Sequence, residues 1–458
     1  MFKFLLTWHR RLKWPVFLFL FLWLASGISH PIMSMMKLRP PRKAVPTLEA
    51  SSLTGASSLS AILAKTKSVV EVRVVNFAKS SYYQLIFADS SVKYYDVKTG
   101  LEISNGDQVY AQHLAHYYLQ GPAKADQSFP LITEYSHEYP RVSKLLPVRR
   151  IDLEDGRSVY LHTQSSQLAL VSNKTQYVFA AFFGLAHTFS FLDGVEYLRV
   201  IILTLALLAI GFMIVSGIYL FFKKARSVRK GLASWHATGG LILSLPLFLL
   251  FFSGVFHLLL KSPKVSEPLT RNSVPELVMK DDRALGFATE LSANAELSGL
   301  SFIASSSGES LVRTHDEIFD LAKEDTLNLE DFVKMLIPRI VGQVPIKEMR
   351  LQDHFSAEYG FVNRLLPVWR IEAGENLYFV DAKSRQLSLK LRSIDYAEGW
   401  SFSMLHKWHF LDKLIPGKGF KAKMKARMLR NGIVIGVCLF SLILCFTGLI
   451  VGKTRKLK

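Results

Sequence analysis

The sequence predicts an integral membrane α-helical protein: a four-span bundle built as a tandem pseudo-twofold repeat, with two external α+β domains. Four stretches, near residues 14–34, 197–222, 237–260 and 432–452, are apolar and long enough to cross a bilayer. The residues that frame the first of them return, with the same spacing, around the third. A soluble motif ahead of the second span likewise returns ahead of the fourth.

Of 458 residues, 50% are hydrophobic and the mean hydropathy is +0.21, the balance of a membrane protein with sizeable soluble parts. Span one follows a basic start, as a secretory signal does. Its apolar run is too long for a signal, however, and it shares a histidine frame with a mid-chain helix, so it reads as a retained helix. Orientation follows the lysines and arginines. Lys3, Arg10, Arg11 and Lys13 precede span one, and Lys223, Lys224, Arg226, Arg229 and Lys230 follow span two. Lys453, Arg455, Lys456 and Lys458 follow span four, and none of the three segments holds an acid. Both termini are therefore expected in the cytoplasm. The expected order is a span with its cytoplasmic start (1–36), an external domain (37–190), a span (191–222), a cytoplasmic loop (223–235), a span (236–261), a second external domain (262–430), a span (431–452) and a tail (453–458). Much of the net charge of +19 is then topology and contact with the lipid bilayer, and nucleic acid is not implied. Cys438 and Cys445 both lie in span four, so no disulfide framework supports the external domains.

Residues 37–60 are rich in Pro and Ser and read as a linker. A short helix then leads into alternating strands, VVEVRVVNF, YYQLIFA and SVKYYDVKTGLEIS, and DQVYAQHLAHYYL has helical spacing. The segment HEYPRVSKLLPVRRIDLEDGRSVYLHTQSSQLALVS returns as AEYGFVNRLLPVWRIEAGENLYFVDAKSRQLSLKL. Leu145-Leu146-Pro147-Val148 match Leu365-Leu366-Pro367-Val368, and Gln167-Leu168 match Gln386-Leu387. Each copy enters its next span through a histidine-bearing segment, GLAHTFSFLDG or SMLHKWHFLDK. Aligning Phe191-Leu192-Asp193 with Phe410-Leu411-Asp412 sets His187 opposite His406 and leaves His409 opposite Ser190. The second copy inserts about a dozen residues, IPGKGFKAKMKARM, before its last span.

The duplicated span frame carries the chemistry. Trp8-His9, Ser26-Gly27 and His30 match Trp235-His236, Ser253-Gly254 and His257, every pair 227 residues apart. Ser216-Gly217 in span two is answered by Thr447-Gly448 in span four. In a helix, the 21 residues between the two histidines of a frame rise about 31 Å and make about six turns. Each frame thus sets one imidazole at each membrane face, both toward one seam of the bundle. Neutral imidazole suits iron, and a low-spin b-type haem takes two axial ligands facing each other across the ring. His9 with His236 would make a site at the inner face. His30 with His257 would make one at the outer face, with His187 and His406 as alternative or additional partners there. His409, within one turn of His406, could substitute for it. Two haem b groups are expected on this reading. Interfacial histidines also anchor to headgroups or satisfy helix ends, but four in a duplicated frame plus two at matched positions favour ligation. The Ser-Gly and Thr-Gly pairs let a flat group or a neighbouring helix approach, and tight helix packing accounts for them equally well. Lys418, Lys421, Lys423 and Lys425 in the insert read as headgroup contacts or as a docking surface for an anionic substrate. No P-loop, dinucleotide fingerprint or nucleophile elbow is present.

The Trp-His start and Ser/Thr-Gly end of the spans, with strand–turn–strand units such as YYDVKTGLEIS and LYFVDAKSRQLSL, resemble the PepSY-associated transmembrane helix family. The resemblance extends over nearly the whole chain. It implies PepSY-like external domains and a place in the bacterial inner membrane, with the large domains periplasmic. Four-span members include siderophore reductases that bind two haems, so it also implies reduction of a ferric siderophore or other ferric chelate for iron uptake. Two turns depart from the family's Asp-x-x-Thr-Gly form: Asp381-Ala382-Lys383-Ser384-Arg385, and His162-Thr163-Gln164-Ser165-Ser166 in the first copy. The short cytoplasmic segments leave no room for a flavin or nicotinamide domain. Electrons are therefore expected from a quinol in the bilayer or a separate cytoplasmic donor. The alternative function is a non-enzymatic sensor or regulator of periplasmic proteolysis or cell-wall processes. A transporter fits less well, because the spans lack the acidic residues of a proton or cation path.

Overall fold

The computed structural model describes residues 1–36, 43–49, 52–119, 129–140, 145–223, 231–261, 275–293, 297, 299–305, 310–314, 317–356, 358–360, 365–383, 385–417 and 419–453. Along the first half run α1 (Phe2–Arg11), α2 (Lys13–Met36), α3 (Leu59–Leu63), β1 (Val69–Phe77), β2 (Ser80–Phe87), β3 (Val92–Asp96), α4 (Gly106–Leu119) and β4 (Leu131–Ile132). Next come β5 (Val148–Asp152), β6 (Arg157–His162), β7 (Gln167–Asn173), α5 (Lys174–Phe183), α6 (Glu196–Lys223) and α7 (Leu232–Lys261). The second half holds α8 (Arg283–Ala293), β8 (Leu300–Ala304), β9 (Ser310–Arg313), β10 (Ile318–Asp320), β11 (Asp325–Leu327), α9 (Leu329–Ile340) and β12 (Ile346–Gln352). It closes with β13 (Val368–Ala373), β14 (Asn376–Asp381), β15 (Gln386–Arg392), α10 (Ser393–Ser401) and α11 (Phe420–Lys453). Lys224, Arg226, Arg229, Lys230, Lys418, Arg455, Lys456 and Lys458, on which part of the charge reading rests, lie outside the described residues.

These elements form two compact units, one of Met1–Lys37, Thr175–Ser266 and Ser393–Lys458, the other of Leu38–Lys174 and Glu267–Arg392. The first is the membrane unit. Helices within Lys13–Met36, Ser190–Lys223, Leu232–Leu260 and Phe420–Val451 are long and apolar enough to cross a bilayer, which makes this a multi-pass membrane protein with four candidate spans. Each of α2 and α7 packs against both α6 and α11, so the four helices close a ring with α2 and α7 on one diagonal. Glycines let them close up. A Cβ on Gly211 would stand 2.7 Å from the Phe251 ring, and one on Gly239 would stand 2.7 Å from Leu444. Leu205, Leu245 and Ile443 stay exposed on outward faces, where lipid replaces protein as their apolar neighbour.

Two helix boundaries differ from the sequence reading. The His9–His30 frame, read as one continuous helix, is divided at Leu12, with His9 on the short α1 ahead of the span and His30 on α2. The inserted Lys/Met/Ala run does not precede the last span as a loop. From Phe420 it is the first turns of α11, because these are good helix formers with no breaker after Gly419.

The second unit is α+β. Its largest sheet has seven antiparallel strands in the order β11-β10-β9-β8-β1-β2-β3. The sheet joins residues from both halves of the sequence through β1 and β8, with Glu71 opposite Ile303 and Val74 opposite Leu300. The two external segments, read as separate domains from the sequence, therefore share one sheet and one compact unit. Near the join the buried Glu71 carboxylate receives Arg313 at 2.7 Å and Arg385 at 3.4 Å. Two four-stranded sheets, β4-β5-β6-β7 and β12-β13-β14-β15, complete the unit. The first buries Ile151, Val159 and Leu161 under Tyr110 and Leu114 of α4, and the second buries Ile371 and Val380 under Val333 and Ile337 of α9. They match in detail. In each the second strand follows a cis proline, Pro147 or Pro367, and each has a bulge in its last strand pair. In each a buried tyrosine hydroxyl donates to a leucine carbonyl, Tyr139 to Leu145 and Tyr359 to Leu365.

Candidate functional site

The histidines of the membrane unit gather at the two ends of the helix ring. The first end is built where α1 lies against α6 and where α7 begins. His9 Nδ1 lies 2.8 Å from the Ser216 hydroxyl, and a Cβ on Gly217 would stand 3.6 Å from the same ring. On the other side of the ring His236 Nδ1 donates to the Leu444 carbonyl at 3.2 Å, with the Thr447 hydroxyl 3.5 Å away. A Cβ on Gly448 would stand only 2.6 Å from His236 Cε1, so that ring sits where only glycine leaves room. The His9 imidazole is held down to about 4 by burial, then by repulsion from His236 and Arg10. His236 is thus near enough to oppose protonation of His9.

The second end is built by short segments that lead into α6 and α11. After α5 the backbone widens into a π-turn, Gly184–Thr188, and after α10 it does the same at Phe402–His406. Each π-turn is closed by a bulky residue in the left-handed region, Phe189 at φ 54° and, after Lys407, Trp408 at φ 55°. Such a conformation is strained for a side chain of that size, and the burial of both rings holds it. The result sets His187 beside α2 and His406 beside α7. His187 Nδ1 lies 3.2 Å from the Ser26 hydroxyl, and His406 Nδ1 lies 3.2 Å from the Ser253 hydroxyl. The Trp23 indole donates to the His187 carbonyl at 3.0 Å and pins that turn to α2. The two imidazoles face each other with ring centres 6.3 Å apart and planes at 80°.

His30 and His257 flank this pair without replacing it. His30 is exposed and lies 5.8 Å from the ring of Phe183, which stacks on His187 at 4.5 Å. His257 stacks on Phe402 at 4.2 Å, and Phe402 in turn stacks on His406 at 4.8 Å. His257 Nδ1 donates to the buried Glu398 carboxylate at 2.5 Å. His409 is turned away to Arg430 at 2.6 Å and Asp412 at 3.0 Å. Lys421, Lys423 and Lys425 are exposed on the first turns of α11.

A haem iron asks the protein for two facing neutral imidazoles and supplies its own equatorial nitrogens. The donor set at the second end fits. Two metal–nitrogen bonds of about 2 Å, with about 1 Å more from each nitrogen to its ring centre, span nearly the observed separation. Burial holds His187 at about 4 and His406 at about 3, so both rings are neutral. With both Nδ1 atoms turned to serines, the Nε2 atoms are left for a shared centre. Among the described residues, no group of three or more His, Cys, Asp or Glu side chains could by itself hold a metal ion.

Reading the sequence singled out the Ser/Thr-Gly pairs only as points of close approach, whereas each receives a histidine from a neighbouring segment. Glu398 gave no signal, since the matched position in the first copy is Phe179. Comparison with known proteins adds the family. Residues 102–296 match the model of the PepSY-associated TM region. That stretch takes in α4, the first four-stranded sheet, the segment bearing His187 and the spans α6 and α7. No curated protein matches the chain.

Proposed function

We propose that this protein is a b-type dihaem cytochrome of the bacterial inner membrane. On this reading it passes electrons across the bilayer to reduce a ferric siderophore or other ferric chelate in the periplasm. The observation that carries the reading is the His187–His406 pair, facing at 6.3 Å with nearly perpendicular rings. The ligand pairs are His187 with His406 at the periplasmic end and His9 with His236 at the cytoplasmic end. The matched sheets and matched histidine cradles support an origin in two tandem copies, with a pseudo-twofold axis along the membrane normal.

Haem b bound at both ends supplies reversible one-electron storage on each side of the bilayer. The chain's own residues do the rest. Neutral imidazoles offer Nε2 lone pairs, and the serines and the Leu444 carbonyl hold the opposite edges of three of the rings. Phe183 and Phe402 wall the periplasmic site and keep water from the histidines they stack on. The lysines at the start of α11 offer positive charge to an anionic chelate. Electrons enter from a quinol in the bilayer or from a separate cytoplasmic donor.

The test is an absorption spectrum of the protein purified from cells supplied with haem, together with a haem-to-protein ratio. The expected result is a Soret band with split low-spin α and β bands on reduction and close to two haems per chain. A colourless protein overturns the cytochrome reading and leaves a sensor or regulator that acts through its external unit.

A further inference from the structure

Ser26 and Ser253 do more than fill a helix turn. A serine hydroxyl has one proton to give, and both residues give it to their own helix. Ser26 donates to the Leu22 carbonyl at 2.6 Å, and Ser253 donates to the Leu249 carbonyl at 2.7 Å. Both hydroxyls are inaccessible to solvent, with the serines 0% and 1% exposed, so no water competes for that proton. Toward the imidazole each oxygen can therefore only accept. The proton between Ser26 and His187 lies on Nδ1, and so does the one between Ser253 and His406; the Trp23 and Leu250 carbonyls, which also hydrogen-bond these rings, likewise only accept. A neutral ring protonated at Nδ1 has its lone pair on Nε2.

We infer that Ser26 and Ser253 are positioning residues that lock His187 and His406 in the Nδ1–H tautomer and aim both Nε2 lone pairs at one metal centre. The inference rests on the haem reading above, and it names which nitrogen ligates and what holds it there. It also accounts for the pairing of serine with glycine in these spans. The serine oxygen is the acceptor, and the glycine keeps the helix surface flat beside the ring, with a Cβ on Gly254 meeting His406 only at 4.0 Å. The other end of the bundle uses the same two kinds of partner, a hydroxyl and a backbone carbonyl. His236 is held by a backbone carbonyl, which also only accepts, whereas Ser216 makes a long 3.3 Å bond to its own helix and a 2.8 Å contact to His9.

An acceptor on the far nitrogen raises the basicity of a ligating imidazole and fixes its plane, and loss of such a partner weakens metal binding about 10–100-fold. The experiment compares Ser26→Ala, Ser253→Ala and the double variant with the wild type as full-length purified protein. Three readouts are taken: the rate of haem loss to a haem-scavenging protein, the midpoint potential, and the ferric low-spin EPR signal. Each single variant should lose one haem about tenfold faster. The potential of that haem should rise, because a less basic ligand stabilises ferric iron less, and its EPR signal should broaden as the ring plane is freed. Threonine at either position keeps the acceptor and should restore all three, since the Thr447 hydroxyl likewise donates to a carbonyl of its own helix, Leu444 at 2.8 Å. Ser29→Ala, a buried serine one turn away whose hydroxyl donates to the Ser26 backbone carbonyl, is the control and should change nothing. A wild type that binds haem, with alanine variants that match it in all three readouts, overturns the serine assignment alone. A wild type without haem overturns the underlying reading instead.

Discussion

The two ends of the membrane unit hold their histidines by different means. At one end the ligand candidates sit in or beside the spans, His9 on α1 and His236 in the second turn of α7. At the other end they sit on π-turns that are not part of any span, each closed by an aromatic residue in the left-handed region. The first end relies on close backbone approach, most tightly at Gly448. Hydroxyls and carbonyls meet the rings at both ends, and the second adds a run of stacked rings from His257 through Phe402 to His406. A helix can present a histidine only along its own surface. A strained turn can present one across the bundle, toward a partner from the other half of the chain.

The largest expected effect tests which histidines ligate at the second end. His406→Ala should remove about one of two haems per chain by pyridine haemochrome assay, while His257→Ala should keep both. The reverse outcome would move the ligands from the π-turns back to the spans.

A somewhat smaller effect separates the two halves of the first end. Gly448→Ala places a methyl group 2.6 Å from His236 Cε1 and must displace the ring, so haem at that end should fall by more than half. Gly217→Ala meets His9 at an ordinary 3.6 Å and should retain both haems. Equal losses in the two variants would show that helix packing, and not room for the ring, governs these glycines.

The smallest effect concerns Glu398, which has a glutamate's function at the second end only in one half of the chain. Glu398→Ala removes the acceptor from half-exposed His257 and should cost about 1–2 kcal/mol in thermal stability. Haem content should stay at the wild-type ratio. Loss of a haem in this variant would mean that His257 ligates after all.

The sequence by itself determined the four spans, the frame containing His9, His30, His236 and His257, and the match of His187 with His406. It did so because hydropathy and helical spacing are local properties, and because the framing residues occur twice in the sequence at matching spacings. The strands of the α+β unit were legible for the same reason, through period-two alternation in stretches such as VVEVRVVNF. Other features were decided only by the tertiary structure. Nothing local shows that β1 pairs with β8, more than 200 residues away, to merge two segments into one sheet. Nothing local shows that Phe189 and Trp408 adopt a left-handed backbone, since neither is a residue that favours it and only burial of both rings offsets the strain. That strain turns His187 toward His406, and it lets two serines, legible in the sequence only as small residues, become hydrogen-bond acceptors for the facing rings.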